Sequence, residues 1–234
     1  MKLTEEQIDR LYQFTRQHYV EWYDLQTELV DHLANAIEQQ WQENPKISFE
    51  DALQIEFKKF GIFGFMDVVE QRQLALNKRY NKIVWKHFKA FFSIPKIIAT
   101  FSAVLIFFYM LMSLSKQAGI LINSFLVFAI LFFWVATIVK RIKYNKTAKA
   151  SGKKWLFKEV IFGYSHFAGL SYLPIQIIVH IDFDTQIGMF KALFFSVLIV
   201  SIYLIDYIVL FETPSKAKEY LKETYPEYAL ENAN

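Results

Sequence analysis

Four apolar runs dominate the second half of the chain. Residues 97–115 and 118–139 contain no charged residue, and residues 160–181 contain none when their two histidines are neutral. The fourth run, 192–211, is interrupted by Asp206 alone. A helix needs about 20 residues to cross the roughly 30 Å hydrocarbon core of a bilayer. The pattern therefore predicts four transmembrane helices, and four such runs in succession argue against buried helices of a soluble protein.

The first ninety residues have a different pattern, in which apolar positions recur at helical spacing. Thr4 and Gln7 have the spacing of a capping box, which predicts a first helix that begins there and runs to about Tyr19. A second helix follows and ends before Pro45, because proline disfavours helix at the residue that precedes it. Its predicted apolar face consists of Leu25, Leu29, Leu33, Ala36, Ile37 and Trp41.

Two further helices are predicted before the first span. Ser48 resembles another N-terminal cap, and the third helix that it opens ends at Gly61. A long fourth helix begins at about Phe65 and becomes basic in its later part, which favours a position along the membrane interface. Its apolar stripe is Val69, Leu76, Tyr80, Ile83, Val84, Phe88 and Phe91. No strand-like alternation occurs, so the sequence predicts an all-α protein.

The charges are segregated along the chain. Residues 1–77 carry seven basic and fourteen acidic residues, whereas residues 78–158 carry fifteen basic residues and no acidic one. Basic residues are retained on the cytoplasmic side of a membrane, so both termini are expected there. The residues predicted to face lipid headgroups are Lys78, Arg79, Lys82, Lys86, Lys89, Lys140, Arg141, Lys143, Lys146, Lys153, Lys154 and Lys158. Nucleic acid is the alternative ligand for such lysines, but these segments lack the folded stacking platform that it requires.

Three segments follow from these patterns. Residues 1–92 form a cytoplasmic helical domain, residues 93–213 a four-helix transmembrane bundle, and residues 214–234 a cytoplasmic tail. The first twenty residues are polar and lack the apolar core of a cleavable signal peptide, so the N-terminus is expected to stay in the cytoplasm. The predicted location is the cytoplasmic membrane, which the chain crosses several times with both termini on the inner side.

Three short motifs in the N-terminal segment carry a family resemblance. They are the runs at residues 28–33 (ELVDHL) and 48–53 (SFEDAL), and the segment from Phe57 to Gly61. Around these motifs, residues 22–75 resemble HAAS-type helical signalling domains, and the whole chain resembles four-span membrane proteins of Bacteroidetes-type bacteria. The resemblance implies a regulatory or protein-interaction role, often alongside PadR-type transcription regulators, and no catalysis.

The candidate chemical residues in the N-terminal segment are Glu28, Asp31 and His32. Because Glu28 and His32 are four residues apart on one helix, they are placed to share a metal ion, and His18 is the nearest further ligand by type. The alternative, which we favour, is a surface pair that contributes only tenths of a kcal/mol to stability. No metal site is therefore predicted.

Two ionisable residues stand out within the predicted spans. His166 and Asp206 each lie six residues, or about 9 Å, from the inner end of adjacent antiparallel helices. They are expected to form a buried pair, with Tyr164, Tyr203 and Tyr207 as further hydrogen-bond partners, because a charged carboxylate is costly in hydrocarbon. The pair is either a proton or cation site or a structural clamp near the interface, and we favour the clamp.

The function predicted from these features is that of a membrane-anchored regulatory protein. Its cytoplasmic domain would bind a protein partner, and a homo-oligomer is compatible with this role. A small transporter or channel subunit that uses the Asp206–His166 pair is the first alternative, and a membrane enzyme acting on lipid is the second. The chain has no cysteine, no glycine-rich phosphate loop and no catalytic motif, so no cofactor is predicted.

Overall fold

A computed structural model describes residues 2–113, 116–163, 172–179, 187–225 and 228. Within these residues every regular element is helical, which confirms the all-α prediction for the described part of the chain. The elements are α1 (Glu5–Gln17), α2 (Tyr23–Glu43), α3 (Phe49–Lys58), α4 (Met66–Ala90), α5 (Lys96–Met112), α6 (Lys116–Ser151), α7 (Leu156–Gly163), α8 (Leu173–Val179), α9 (Met189–Tyr207), a π-helical segment (Ile208–Glu212), α10 (Thr213–Ser215) and α11 (Ala217–Thr224).

The predicted caps of the N-terminal helices are confirmed. The Thr4 hydroxyl accepts a hydrogen bond from the backbone of Gln7, whose side chain binds the Thr4 backbone in return. The Ser48 hydroxyl accepts from the backbone N–H of Asp51 at 3.1 Å. Both contacts satisfy backbone donors that have no partner within the helix. Local sequence therefore determines where α1 and α3 begin.

The chain divides into two compact units. Unit 1 contains residues 1–78, 148–160 and 227–234, and unit 2 contains residues 79–147 and 161–226. In unit 1, α1 and α3 both pack against α2. The predicted apolar face of α2 is buried at Leu25, Leu29, Leu33, Ile37 and Trp41. Burial of this face supplies most of the free energy that holds such short helices together.

In unit 2 the main packing is between α5 and α9. Leu111 of α5, Ile122 and Leu126 of α6, and Ala192 and Ile199 of α9 form one buried apolar cluster. Each of these helices also carries large apolar side chains on its outer surface. Those of α6 are Ile120, Leu121, Phe125, Val127, Phe128, Leu131, Phe132, Trp134, Val135, Ile138, Val139 and Ile142.

Within the described part of the chain, two helices are long and apolar enough to cross a membrane. They cover Gly119–Thr147 and Met189–Ser215, and the apolar helix α5 is shorter. These helices coincide with the second and fourth predicted spans, and α5 coincides with most of the first. Much of the third predicted span, 160–181, lies outside the described residues.

The helix of the second predicted span is longer than expected. The sequence predicts a span over 118–139 followed by a basic loop, whereas α6 continues to Ser151. Lysine and arginine are good helix formers, and no glycine or proline intervenes before Gly152, which has a φ of +64°. The helix therefore ends at the first glycine after the apolar run, Gly152, and not where the residues change from apolar to basic.

We predict that the two glycines of the α3–α4 turn differ in their tolerance of alanine. Both have left-handed backbone, and a Cβ at Gly61 meets open space, whereas one at Gly64 lies 2.9 Å from Cζ of Phe57. The Phe57 ring has little room to move because Phe14, His18 and Phe65 surround it. Gly61→Ala should cost about 1 kcal/mol of backbone strain. Gly64→Ala should cost about 1–3 kcal/mol more from overpacking.

Thermal unfolding of the purified variants in detergent measures this difference. Equal losses of stability in the two variants would show that the Phe57 ring moves aside without cost.

Candidate functional site

An aromatic cluster lies at one end of unit 1. It consists of Phe14, His18, Phe57, Phe60 and Phe65, which come from α1, α3 and the turns that follow these helices. The His18 ring centroid is 4.1 Å from that of Phe57 and 4.4 Å from that of Phe14, and Phe60 lies 4.8 Å from Phe65. Burial among these rings lowers the pKa of His18. His18 is therefore an aromatic packing residue in this structure.

Three large side chains project from the turns that carry the aromatic cluster. Tyr19 follows His18 directly, and Ile62 and Phe63 lie between Phe60 and Phe65. Their exposed fractions are 77%, 98% and 70%. We refer to Tyr19, Ile62 and Phe63 as the apolar patch.

The backbone beneath the apolar patch has an unusual conformation at Tyr19. The N–H of Tyr19 donates to the carbonyl of Arg16, and the N–H of Val20 donates to that of Thr15, both at 3.1 Å. This pair of bonds is the Schellman motif, which places a left-handed residue after the helix and usually has glycine there. Tyr19 occupies that position with a φ of +66°. A tyrosine in this region costs about 1–3 kcal/mol.

The predicted trio on α2 is exposed. Glu28, Asp31 and His32 all lie at the surface, and the His32 ring meets the edge of Phe60 at 5.8 Å. Among the described residues, no group of three or more histidine and acidic side chains is placed to hold a metal ion.

A segment of the chain far from the N-terminus completes unit 1. The N–H of Tyr23 donates to the carbonyl of Lys154 at 2.7 Å, and the N–H of Leu156 donates to Oδ1 of Asp24 at 3.0 Å. The ammonium of Lys154 lies 2.6 Å from Glu21, and this contact raises the pKa of Lys154. The residues between α6 and α7 are thus bound at the N-terminus of α2.

Other basic residues of the predicted headgroup-facing set also have contacts within unit 1 or unit 2. The ammonium of Lys153 lies 4.0 Å above the ring of Tyr23. Lys140 donates to the carbonyl of Leu210, and Arg79 lies 3.5 Å from Glu223. The side chains of Lys78, Lys82, Lys86, Lys89, Arg141, Lys143 and Lys146 are exposed, and that of Lys158 is half-buried.

Within unit 2, Asp206 is buried in α9 with an exposed fraction of 1%. Neither of its carboxylate oxygens has a hydrogen-bond partner among the described residues, and the same is true of the buried hydroxyl of Tyr203, one turn earlier. The Tyr203 ring stacks on Phe133 of α6, and Tyr207 is exposed. The other two members of the predicted group, His166 and Tyr164, lie outside the described residues.

The clearest polar network of unit 2 surrounds His87. This residue of α4 is 9% exposed, and its Nε2 lies 2.7 Å from the hydroxyl of Tyr220 in α11. Its Nδ1 lies 3.6 Å from Oε1 of Glu212, which Lys216 also contacts at 3.1 Å. A neutral ring that accepts from Tyr220 and presents Nδ1–H to Glu212 satisfies both contacts. Burial, followed by the nearby charge of Lys216, lowers the pKa of His87.

Sequence reasoning missed this network, although the pattern contained a signal for it. Tyr80, Val84, His87 and Phe91 are spaced by four, three and four residues, which places His87 on the apolar stripe of α4. A polar residue on such a stripe needs a partner when it is buried.

Comparison of the chain with protein-family models, curated proteins and solved structures finds no match.

We predict that His87 makes folding stability depend on pH. Because its pKa is lowered in the folded protein, the unfolded chain takes up a proton first as the pH falls from about 7.5 to about 5. Acid should therefore destabilise the protein over this range, and His87→Gln should reduce the loss. Thermal unfolding in detergent at several pH values measures the effect.

The variant His18→Gln is compared with His87→Gln. The pKa of His18 is also lowered, but this residue lies in unit 1, whereas His87 lies in unit 2. The two substitutions should reduce the pH dependence additively, since the sites share no contact. An unchanged pH profile in His87→Gln would contradict the role assigned to His87.

Proposed function

We propose that this chain is a membrane-anchored regulatory protein whose N-terminal helical unit binds a protein partner in the cytoplasm. The observation that carries the proposal is the apolar patch formed by Tyr19, Ile62 and Phe63. The two turns that carry these residues meet where the ring of His18 lies 6.0 Å from that of Phe65. Exposed apolar groups are found singly on most proteins, whereas groups of large ones mark interaction surfaces. The resemblance of residues 22–75 to HAAS-type domains supports the same role.

The backbone at Tyr19 adds a second argument for a binding role. Glycine would relieve the strain of the left-handed conformation, and an exposed tyrosine contributes little packing in return. Strained residues of this kind concentrate at binding sites, where the surrounding structure holds them in place. Aromatic side chains such as Tyr19 and Phe63 are also common anchors of protein interfaces.

The membrane part of the proposal rests on apolar surface and charge. The helices Gly119–Thr147 and Met189–Ser215 are able to span a bilayer by length and composition. The four apolar runs and the lysines that flank them support a four-span arrangement in a bacterial inner membrane with both termini inside. The contacts of Lys154 and Leu156 with α2 support a cytoplasmic position for the residues between α6 and α7.

We predict that a photoreactive amino acid in place of Ile62 forms a covalent adduct with one protein when the full chain is irradiated in its native membrane. Adding Phe63→Ser should weaken this adduct about tenfold, because a buried phenylalanine contributes roughly 1.5–3 kcal/mol. Gel shift and mass spectrometry of the purified adduct measure the outcome.

The matched control is the same photoreactive residue at Leu74, another exposed apolar position of unit 1. Adducts of equal yield at 62 and 74, or adducts with lipid alone, would rule out the partner proposal. Tyr19→Gly is a second variant, which should stabilise the free protein by about 0.5–1 kcal/mol while it weakens the adduct. A purely structural tyrosine would not show this combination.

A second candidate function is transport of protons, and the burial of Asp206 favours it. A buried carboxyl group without a partner is stable only when it holds a proton or a cation. The π-helical segment begins two residues later, and such segments are frequent at functional sites. The alternative role for Asp206 is a structural contact with residues outside the described part of the chain.

We predict that Asp206→Asn abolishes proton flux if Asp206 is a proton carrier. The full chain is reconstituted in vesicles with an imposed pH gradient, and a pH-sensitive dye reports its decay. Tyr207→Phe, a substitution at an exposed neighbour, should leave the flux unchanged. A gradient that decays equally with wild type and Asp206→Asn would dispose of the transport function.

A further inference from the structure

A polar pocket with a volume of about 410 Å³ lies within unit 1. Asp9, Tyr12 and Arg16 of α1 contribute to its lining, and their spacing of three and four residues places them on one face of the helix. The residues at positions 152–154, between α6 and α7, also line it. The pocket is therefore built from two parts of the chain that are far apart in the sequence.

No single sign of charge dominates at the pocket. Three of the lining residues are basic and two are acidic, and one pair of opposite charges, Lys154 and Glu21, is in contact at 2.6 Å. Two further carboxylates, those of Asp24 and Glu159, lie on the same stretch of chain and accept N–H groups of the protein. Because the charges are nearly balanced, the pocket is not suited to a simple anion or a simple cation.

Asp9 and Arg16 are the charged lining residues that remain open to a ligand. Both side chains are exposed, and neither has an ion pair or a side-chain hydrogen bond among the described residues. They are seven residues apart on α1, so their Cα atoms are separated by about 10.5 Å along the helix axis. A ligand that meets both carries a positive group and a negative group some distance apart.

The rest of the lining offers flat rings and one buried acceptor. The rings of Tyr12 and Tyr23 are nearly parallel, with 7° between their planes and 6.5 Å between their centroids. Gln26 also lines the pocket and is only 5% exposed, and its Nε2 donates to the carbonyl of Val20 at 2.7 Å. This bond orients the carboxamide, and its Oε1 receives no hydrogen bond from the described residues. Such an acceptor is suited to an N–H group of a ligand.

A short peptide with free termini has each of the groups that this lining can bind. Its ammonium terminus suits the carboxylate of Asp9, and its carboxylate suits the planar fork of Arg16. Its peptide bonds are planar, so they can lie against tyrosine rings, and they supply N–H donors. Three extended residues span about 10 Å, which is close to the rise between Asp9 and Arg16, whereas a single amino acid spans only about 3.5 Å.

We propose that this pocket binds a short peptide of about three residues through its two free termini. Asp9 binds the amino terminus, Arg16 binds the carboxyl terminus, and Oε1 of Gln26 accepts a peptide N–H. Because residues 152–154 also line the pocket, the bound peptide links α1 to the segment between α6 and α7. The residues of the apolar patch do not line this pocket, so the partner proposal and the peptide site are tested separately.

The test is isothermal titration calorimetry of the purified full chain in detergent, with alanyl-tyrosyl-alanine as the probe. Acetylation of its amino terminus and amidation of its carboxyl terminus should each weaken binding about tenfold, because each removes one charge-assisted hydrogen bond. No binding at peptide concentrations up to about 1 mM would overturn the site. Equal affinity for free tyrosine, or for the peptide with both termini blocked, would overturn the peptide assignment.

Two variants test which residue meets which terminus. Asp9→Asn should weaken binding of the unmodified peptide about tenfold and leave binding of the acetylated peptide unchanged, because the group that Asp9 meets is already absent. Arg16→Gln should show the same pattern with the amidated peptide. Both side chains are exposed, so the variants should fold. Losses that do not depend on the state of the termini would contradict the assigned contacts.

The matched controls are Glu6→Gln and Lys2→Gln, which remove one exposed charge of each sign from the same part of the chain but outside the pocket. Each should change the affinity for the unmodified peptide by less than about twofold. A loss as large as that in Asp9→Asn or Arg16→Gln would reduce the effect to general surface charge and overturn the site.

Hydrogen exchange with mass spectrometry tests the link to the segment between α6 and α7. The backbone N–H groups of Tyr23 and Leu156 form hydrogen bonds across this junction, at 2.7 and 3.0 Å. Peptide at ten times its dissociation constant should slow their exchange by up to about tenfold in the wild type, and much less in Asp9→Asn at the same concentration. Unchanged exchange in the wild type, despite binding, would overturn the link.

Discussion

The outward apolar surface of α6 is the constraint on which the rest of unit 2 depends. More than half of the surface of Phe125, Phe128, Phe132 and Val135 on this helix is left exposed by the described residues. Such a surface is unfavourable in water over a contiguous area of this size, and it is suited to lipid. Every polar group placed among these helices must therefore find a partner inside the protein or at the ends of the helices.

The polar groups of unit 2 meet this requirement in different ways. Ser196 donates to the carbonyl of Ala192 within its own helix, and Lys140 reaches the carbonyl of Leu210 in the π-helical segment. His87 has a partner for each ring nitrogen. Asp206 differs because its oxygens have no partner among the described residues. This contrast is why Asp206 supports a transport role, whereas the His87 network is a set of polar groups that satisfy one another.

Unit 1 has the burial pattern and helix caps of a small helical domain in water. Its helices bury one face and expose the other, and its ends are capped by side chains of Thr4 and Ser48. The exceptions are concentrated around the aromatic cluster, where Tyr19 is strained and Ile62 and Phe63 are exposed. Departures from the packing rules at one end of a domain are expected at binding sites. The proposed partner surface rests on this concentration.

The sequence by itself determined the helices of unit 1, the apolar runs and the segregation of charge, because caps, helical spacing and hydrophobicity act between residues that are close along the chain. It predicted the start of α3 at Ser48 and the buried face of α2, and it identified Asp206 as unusual. It did not find the binding of Lys154 and Leu156 to the start of α2, nor the contact of His87 with Tyr220. Those pairs are separated by more than 130 residues, so only the tertiary structure brings them together. Each of these contacts joins a single side chain or backbone group to another, and no repeating sequence pattern marks either one. Tertiary packing alone therefore determines which groups meet.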